Sequence, residues 1–132
     1  MDLSRFKVDL DKEEDGAWVD IGPDARICVA RANNPKYKEI LKRMTRPYRR
    51  QIDNGTLPDE IGDKIMADVI ADGCIRGWEG LEMAGEAIPY SPQAARDLMR
   101  NPQLKDFRDL VTKIAGDADL YRQAEIEESE GN

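Results

Sequence analysis

Asn33-Asn34-Pro35-Lys36-Tyr37-Lys38-Glu39-Ile40-Leu41-Lys42-Arg43-Met44 is the stretch where the chain changes its period. Before it, apolar residues alternate with polar ones. From Pro35 onward Tyr37, Ile40, Leu41, Met44, Tyr48 and Ile52 recur mostly at spacings of three and four, which places them on one helical face. The switch predicts an α+β protein that is mainly α, with about three N-terminal antiparallel strands followed by a four- to five-helix domain. The corresponding division is a β-meander over 1–32, a helical domain over 33–116 and an acidic, partly disordered tail over 117–132.

Upstream of the switch, Phe6, Val8 and Leu10 alternate with Arg5, Lys7 and Asp9, the period of a half-buried strand. The polar run Asp11-Lys12-Glu13-Glu14-Asp15-Gly16 reads as a turn. Ala17-Trp18-Val19-Asp20-Ile21 is a second strand closed by Gly22-Pro23-Asp24, and Ala25 to Arg31 is a third. Asn33-Asn34-Pro35 ends the meander.

Downstream, Pro47 disfavours a helical conformation at Arg46, so a kink or two abutting helices are expected there. Asn54-Gly55 is a helix stop, since both residues tolerate the left-handed conformation. A further helix starts near Pro58. Its apolar face is Ile61, Ile65, Met66, Val69, Ile70, Ile75 and Trp78, with Glu60, Lys64, Asp68 and Asp72 opposite; Gly73 and Gly77 weaken its last turns. Gly80 to Tyr90 is a loop or short extended segment. Ser91-Pro92 and Asn101-Pro102 each open a helix with a capping side chain followed by proline. In the second, Leu104, Phe107, Leu110, Val111 and Ile114 form an apolar stripe. From Asp117 on, six acids face the single base Arg122, and the stretch from Glu125 reads as frayed.

Composition narrows the chemistry. The 132 residues carry 27 acidic and 20 basic side chains, a net charge of -7, two cysteines and no histidine. Without histidine, a hydrolytic triad or a His-ligated metal is excluded. Cys28 and Cys74 form no CxxC pair, so they read as small buried hydrophobes. The longest apolar run, Ile27-Cys28-Val29-Ala30, falls far short of the roughly 20 residues that span a bilayer. The N-terminus lacks a signal-peptide pattern, so no membrane association and a cytoplasmic location are expected. No phosphate loop, nucleotide fingerprint or nucleophile elbow occurs. Glu79, Glu82 and Glu86 lack an orienting partner, and Asp11 to Asp15 does not follow the alternation of a calcium loop. A non-enzymatic protein with no metal or cofactor is expected.

Charge is unevenly placed. Lys36, Lys38, Lys42, Arg43, Arg46, Arg49 and Arg50 face only Glu39, a local net of +6 that leaves -13 for the rest of the chain. Such a face binds phosphate backbones, acidic membranes or acidic proteins, or is an ordinary solvated helix face partly paired with the acidic C-terminal part. The acidic remainder opposes phosphate approach, which disfavours nucleic acid. Lys42, Arg43, Arg46 and Arg49 are one candidate contact. Trp78 and Tyr90 flank the loop between two helices, where aromatics serve as core or as binding anchors.

The words Ile75-Arg76-Gly77-Trp78-Glu79-Gly80 and Ala87-Ile88-Pro89-Tyr90-Ser91, followed by Leu98 and the stripe from Leu104 to Ile114, resemble the tail assembly chaperones of long-tailed, siphovirus-type bacteriophages. Those proteins show a glycine–tryptophan at a helix end, a short loop, then a comparable start to a helix. The likeness covers Tyr37 to Ala124 and matches the N-terminal strands less well. It implies a cytoplasmic morphogenetic protein that binds the helical tape-measure protein and helps recruit tail-tube subunits, with homo-oligomers as a further expectation. Trp78, Leu81, Ile88 and Tyr90 would then form the loop surface near the contact. The rival expectations are a structural head–tail connector or tail-completion protein, and an acidic mimic of nucleic acid, which the basic helix opposes.

Overall fold

The computed structural model describes residues 1–123. Its elements in chain order are α1 (Leu10–Asp15), β1 (Ala17–Gly22), β2 (Ala25–Val29), α2 (Pro35–Thr45), α3 (Arg49–Asn54), α4 (Asp59–Gly73), β3 (Ile75–Glu79), β4 (Glu82–Met83), β5 (Glu86–Ala87), α5 (Pro92–Arg100) and α6 (Lys105–Ala115). The architecture is α+β and mainly α, with a three-stranded antiparallel sheet in the order β1-β2-β3 and, among the described residues, five helices from Pro35 on.

The third strand differs from the one expected. Phe6 to Leu10 is not a strand: Leu3–Phe6 is a 3-10 turn, Val8 makes a lone antiparallel bridge to Arg122, and Leu10 begins α1. Asp9 decides this locally. Its carboxylate accepts from the Lys12 amide at 3.0 Å, an N-cap that turns the expected polar turn into a helix. The third strand is instead β3, added at the other edge beside β2, in a segment that the 3.6-residue period assigns to the end of the preceding helix. Gly73 is the last residue of α4, and the chain turns at Cys74 into a strand whose Trp78 pairs with Ile27 and whose Gly77 pairs with Cys28. The sheet thus combines strands from before residue 32 and from within the helical part.

The sheet's inner face and the helices share one core. Ile27, Val29, Ile75 and Trp78 pack with Tyr37, Ile40, Ile65, Val69, Met99 and Val111. The middle of the chain follows its local signals. Asn34 caps α2, a 3-10 turn at Arg46–Tyr48 bends the chain at Pro47, and Gly55 takes a left-handed conformation (φ 71°) after α3. Ser91 caps α5, accepting from the Ala94 amide at 2.9 Å. Asn101 caps a short 3-10 turn that leads into α6.

Two buried polar groups set the helix positions. Asn34 donates to the carbonyls of Arg31 (2.7 Å) and Gly73 (2.8 Å) while accepting from the Tyr37 amide (3.0 Å), joining the segment after β2 and the start of α2 to the end of α4. Asp68, expected on the solvent face of α4, is buried against α5 as the partner of Arg100. Asp72 with Arg96 repeats the pairing one turn along, so α4 and α5 run antiparallel.

Of the expected acidic tail, residues 117–123 are folded. Ala118–Tyr121 is a 3-10 turn, and Tyr121 is fully buried with its hydroxyl donating to the Val29 carbonyl at 2.8 Å. The frayed stretch expected from Glu125 lies outside the described residues.

Candidate functional site

The exposed residues of α2, the 3-10 turn after it and α3 form a cationic ridge. Tyr37 and Ile40 turn inward and are buried, so the helical period sends Lys36, Lys38, Lys42 and Arg43 outward. Arg46, Arg49 and Arg50 continue the exposed charge past the bend at Pro47. Among the described residues none of these seven makes an ion pair or a side-chain hydrogen bond. The arginines that do pair with carboxylates lie elsewhere: Arg26 with Glu79, Arg31 with Glu13, Arg96 with Asp72, Arg100 with Asp68, Arg108 with Asp63 and Arg122 with Asp119. Six acids of the fold are thus paired on other surfaces, and among the described residues none is paired with the ridge.

Beside the ridge lies an apolar cleft of about 370 Å³ between the end of α2 and the start of α4, lined by Met44, Tyr48, Ile61 and Ile65 with Glu60 and Lys64. Met44, Tyr48 and Ile61 are each half-buried and pack against the core from its edge. A second cleft, of about 480 Å³, opens between α4 and the α5–α6 connection and includes Asp63, Met99, Arg100 and Arg108. Its arginines are already engaged by Asp68 and Asp63.

The aromatic loop is a separate group. Trp78 is buried, its indole N–H donates to the Ile88 carbonyl at 2.7 Å, and the Tyr90 ring meets it edge-on at 5.0 Å. The Ile88 amide donates to the Leu81 carbonyl at 2.8 Å. The structure therefore brings Trp78, Leu81, Ile88 and Tyr90 together. Trp78 faces the core and holds the loop, while Leu81, Ile88 and Tyr90 keep partial exposure. Burial raises the Tyr90 phenol above its ordinary range. No hydrogen bond or ion pair joins this cluster to Lys42, Arg43, Arg46 or Arg49 among the described residues.

The outer sheet face holds a feature that alternation alone did not single out. Trp18 on β1, 45% exposed, lies over Gly77 of β3, and the Arg26 guanidinium stacks 4.2 Å from its ring centre. Arg26 in turn donates from Nε to Glu79 at 2.9 Å, which holds that carboxyl below its usual range. The signal available in the sequence was the small residue at 77, two strands from an aromatic.

Among the described residues no group of three or more His, Cys, Asp or Glu side chains is placed to hold a metal ion. No helix among them is long and apolar enough to cross a membrane. Cys28 and Cys74 are free and buried, and burial pushes the Cys74 thiol up to about 12.

Residues 32–132 match a protein family described as the YdaY prophage protein, a span that takes in the ridge, the cleft and the aromatic loop. No curated protein and no solved structure matches the chain.

Proposed function

Because this chain belongs to the YdaY prophage protein family, we propose that it is a non-enzymatic tail assembly chaperone, working in the host cytoplasm, that binds the helical tape-measure protein and helps recruit tail-tube subunits. A phage origin follows from the family. The observation that carries the finer reading is an apolar cleft beside seven exposed cations that have no ion pair among the described residues. Such a surface suits a protein partner, because apolar clefts between helices receive the apolar face of another helix and the charged border selects it.

The sequence words behind the resemblance lend support. Ile88-Pro89-Tyr90-Ser91 leads directly into a helix, with Ser91 as its cap. The Gly77-Trp78 pair sits on β3 and not at a helix end, yet it still orders the loop that follows.

Co-expression with the longest helix-rich protein encoded beside it, taken as the candidate tape-measure protein, followed by size exclusion with light scattering, tests the reading. The expected result is a soluble complex of defined stoichiometry, with the tape-measure protein insoluble when made alone. Absence of a complex, together with detection of this chain in purified virions by mass spectrometry, replaces the chaperone by a structural head–tail connector.

A further inference from the structure

We infer that the cleft between α2 and α4 receives an acidic amphipathic helix, whose apolar side chains enter between Met44, Tyr48, Ile61 and Ile65 and whose carboxylates meet the cationic ridge. Two observations lead there. The cleft has Ile65 as its buried floor and Met44, Tyr48 and Ile61 as partly exposed walls, and a groove between two helices is read by side chains at i, i+3, i+4 and i+7 of an incoming helix. Arg43 is next in the chain to Met44, and Arg46 and Arg49 flank the bend that carries Tyr48, so apolar and cationic groups belong to one short surface.

The charge supplies the identity of the occupant. A local +6 with no ion pairs among the described residues is self-repelling, and carboxylates from a partner relieve it. Lys36 and Arg43 lie seven residues apart on α2, about 10 Å along its axis, which is the spacing of acids at i and i+7 on another helix. A nucleic acid would satisfy the ridge but leave the apolar cleft unfilled. It would also meet the -13 carried by the rest of the chain. The acidic helix satisfies both parts of the surface.

This inference rests on the chaperone reading in taking the helix to be a segment of the tape-measure client; the surface chemistry stands by itself. The test uses the full chain and a labelled synthetic peptide of about 20 residues, some 30 Å as a helix, with leucines on one face and glutamates on the other. Binding is followed by fluorescence anisotropy. A peptide of identical composition with its leucines scrambled around the helix, and a single-stranded oligonucleotide, are measured beside it.

The patterned peptide is expected to bind at least about tenfold more tightly than the scrambled one, with salt weakening it. The triple variant Arg43→Glu, Arg46→Glu, Arg49→Glu is expected to lose at least about tenfold, and its side chains are exposed, so folding is not at stake. Equal binding of the scrambled peptide, preference for the oligonucleotide, or full affinity in the triple variant each overturns the inference. A tape-measure complex that survives the triple substitution would retain the chaperone and discard this surface. Peptide binding without any tape-measure complex would do the reverse.

Discussion

Asp68 and Arg100 join α4 to α5 by a two-pronged contact, Nε to Oδ1 at 2.6 Å and Nη2 to Oδ2 at 2.8 Å, with the carboxylate buried and the guanidinium partly in water. The carboxylate raises the Arg100 guanidinium above its ordinary value. Arg100→Leu leaves Asp68 buried without its partner and is expected to cost about 1–3 kcal/mol, below the figure for a fully buried pair because Arg100 is solvated on one side. The double variant Asp68→Leu, Arg100→Leu is expected to recover much of that loss. Urea unfolding of both variants measures the difference.

Tyr121 fastens the C-terminal segment to the sheet. Tyr121→Phe removes one buried hydroxyl and leaves the Val29 carbonyl without it, an expected loss of about 1 kcal/mol. Tyr121→Ala also opens a cavity and is expected to cost about 3–5 kcal/mol. Thermal melts that show no difference between the two would mean that the ring is not packed as described.

Gly73 ends α4 under Tyr37. Within a helix alanine outranks glycine by about 1 kcal/mol. Here an added Cβ would come within 2.9 Å of the Tyr37 Cα, which is backbone and cannot swing aside. Gly73→Ala is therefore expected to destabilise, reversing the sign of the helix propensity. Its melting temperature relative to the parent chain decides the matter.

The ridge gives the opposite expectation for stability. Lys42, Arg43, Arg46 and Arg49 have no ion-pair partners among the described residues, so replacing each by glutamine is expected to shift stability by no more than about 0.5 kcal/mol. Loss of the tape-measure complex at unchanged melting temperature would separate a binding role from a structural one.

Alkaline pH should loosen the fold. Burial raises the thiols of Cys74 (to about 12) and Cys28, whereas an unfolded thiol ionises near pH 8.5. Above that pH the unfolded chain has lost protons that the native chain retains, so stability falls as pH rises and is fully present below about pH 8.5. Urea midpoints at pH 8 and pH 10 measure the slope, and Cys74→Ala is expected to flatten it.

What could be read ahead of the structure were the local signals. Asn34-Pro35, Pro47, Asn54-Gly55 and Ser91-Pro92 each act within four residues, through caps and fixed dihedrals, and each marks the boundary it predicted. The choice of third strand was not local. Phe6-Lys7-Val8-Asp9-Leu10 alternates as well as a strand should, but the Asp9 cap wins, and β2 instead pairs with a segment almost fifty residues later. Ile75 and Trp78 fit a helical face and a buried strand equally, and only the helix end at Gly73 separates the two. At the site, Lys42 to Arg49 were identifiable from charge, while the cleft needed Ile61 and Ile65 brought against Met44 from another helix. Tyr121 was obscured by the acids around it.

The bond from Tyr121 to Val29 closes a span of 92 residues, and β2 must wait for β3 before its second edge is paired. During synthesis, then, the first strands leave the ribosome with an open edge and an unfilled core. At about 5–20 residues per second, roughly 5–20 s pass before the tyrosine that completes the enclosure emerges. The N-terminal third is thus exposed to its surroundings until Tyr121 has been made, and the sheet is enclosed only from then on.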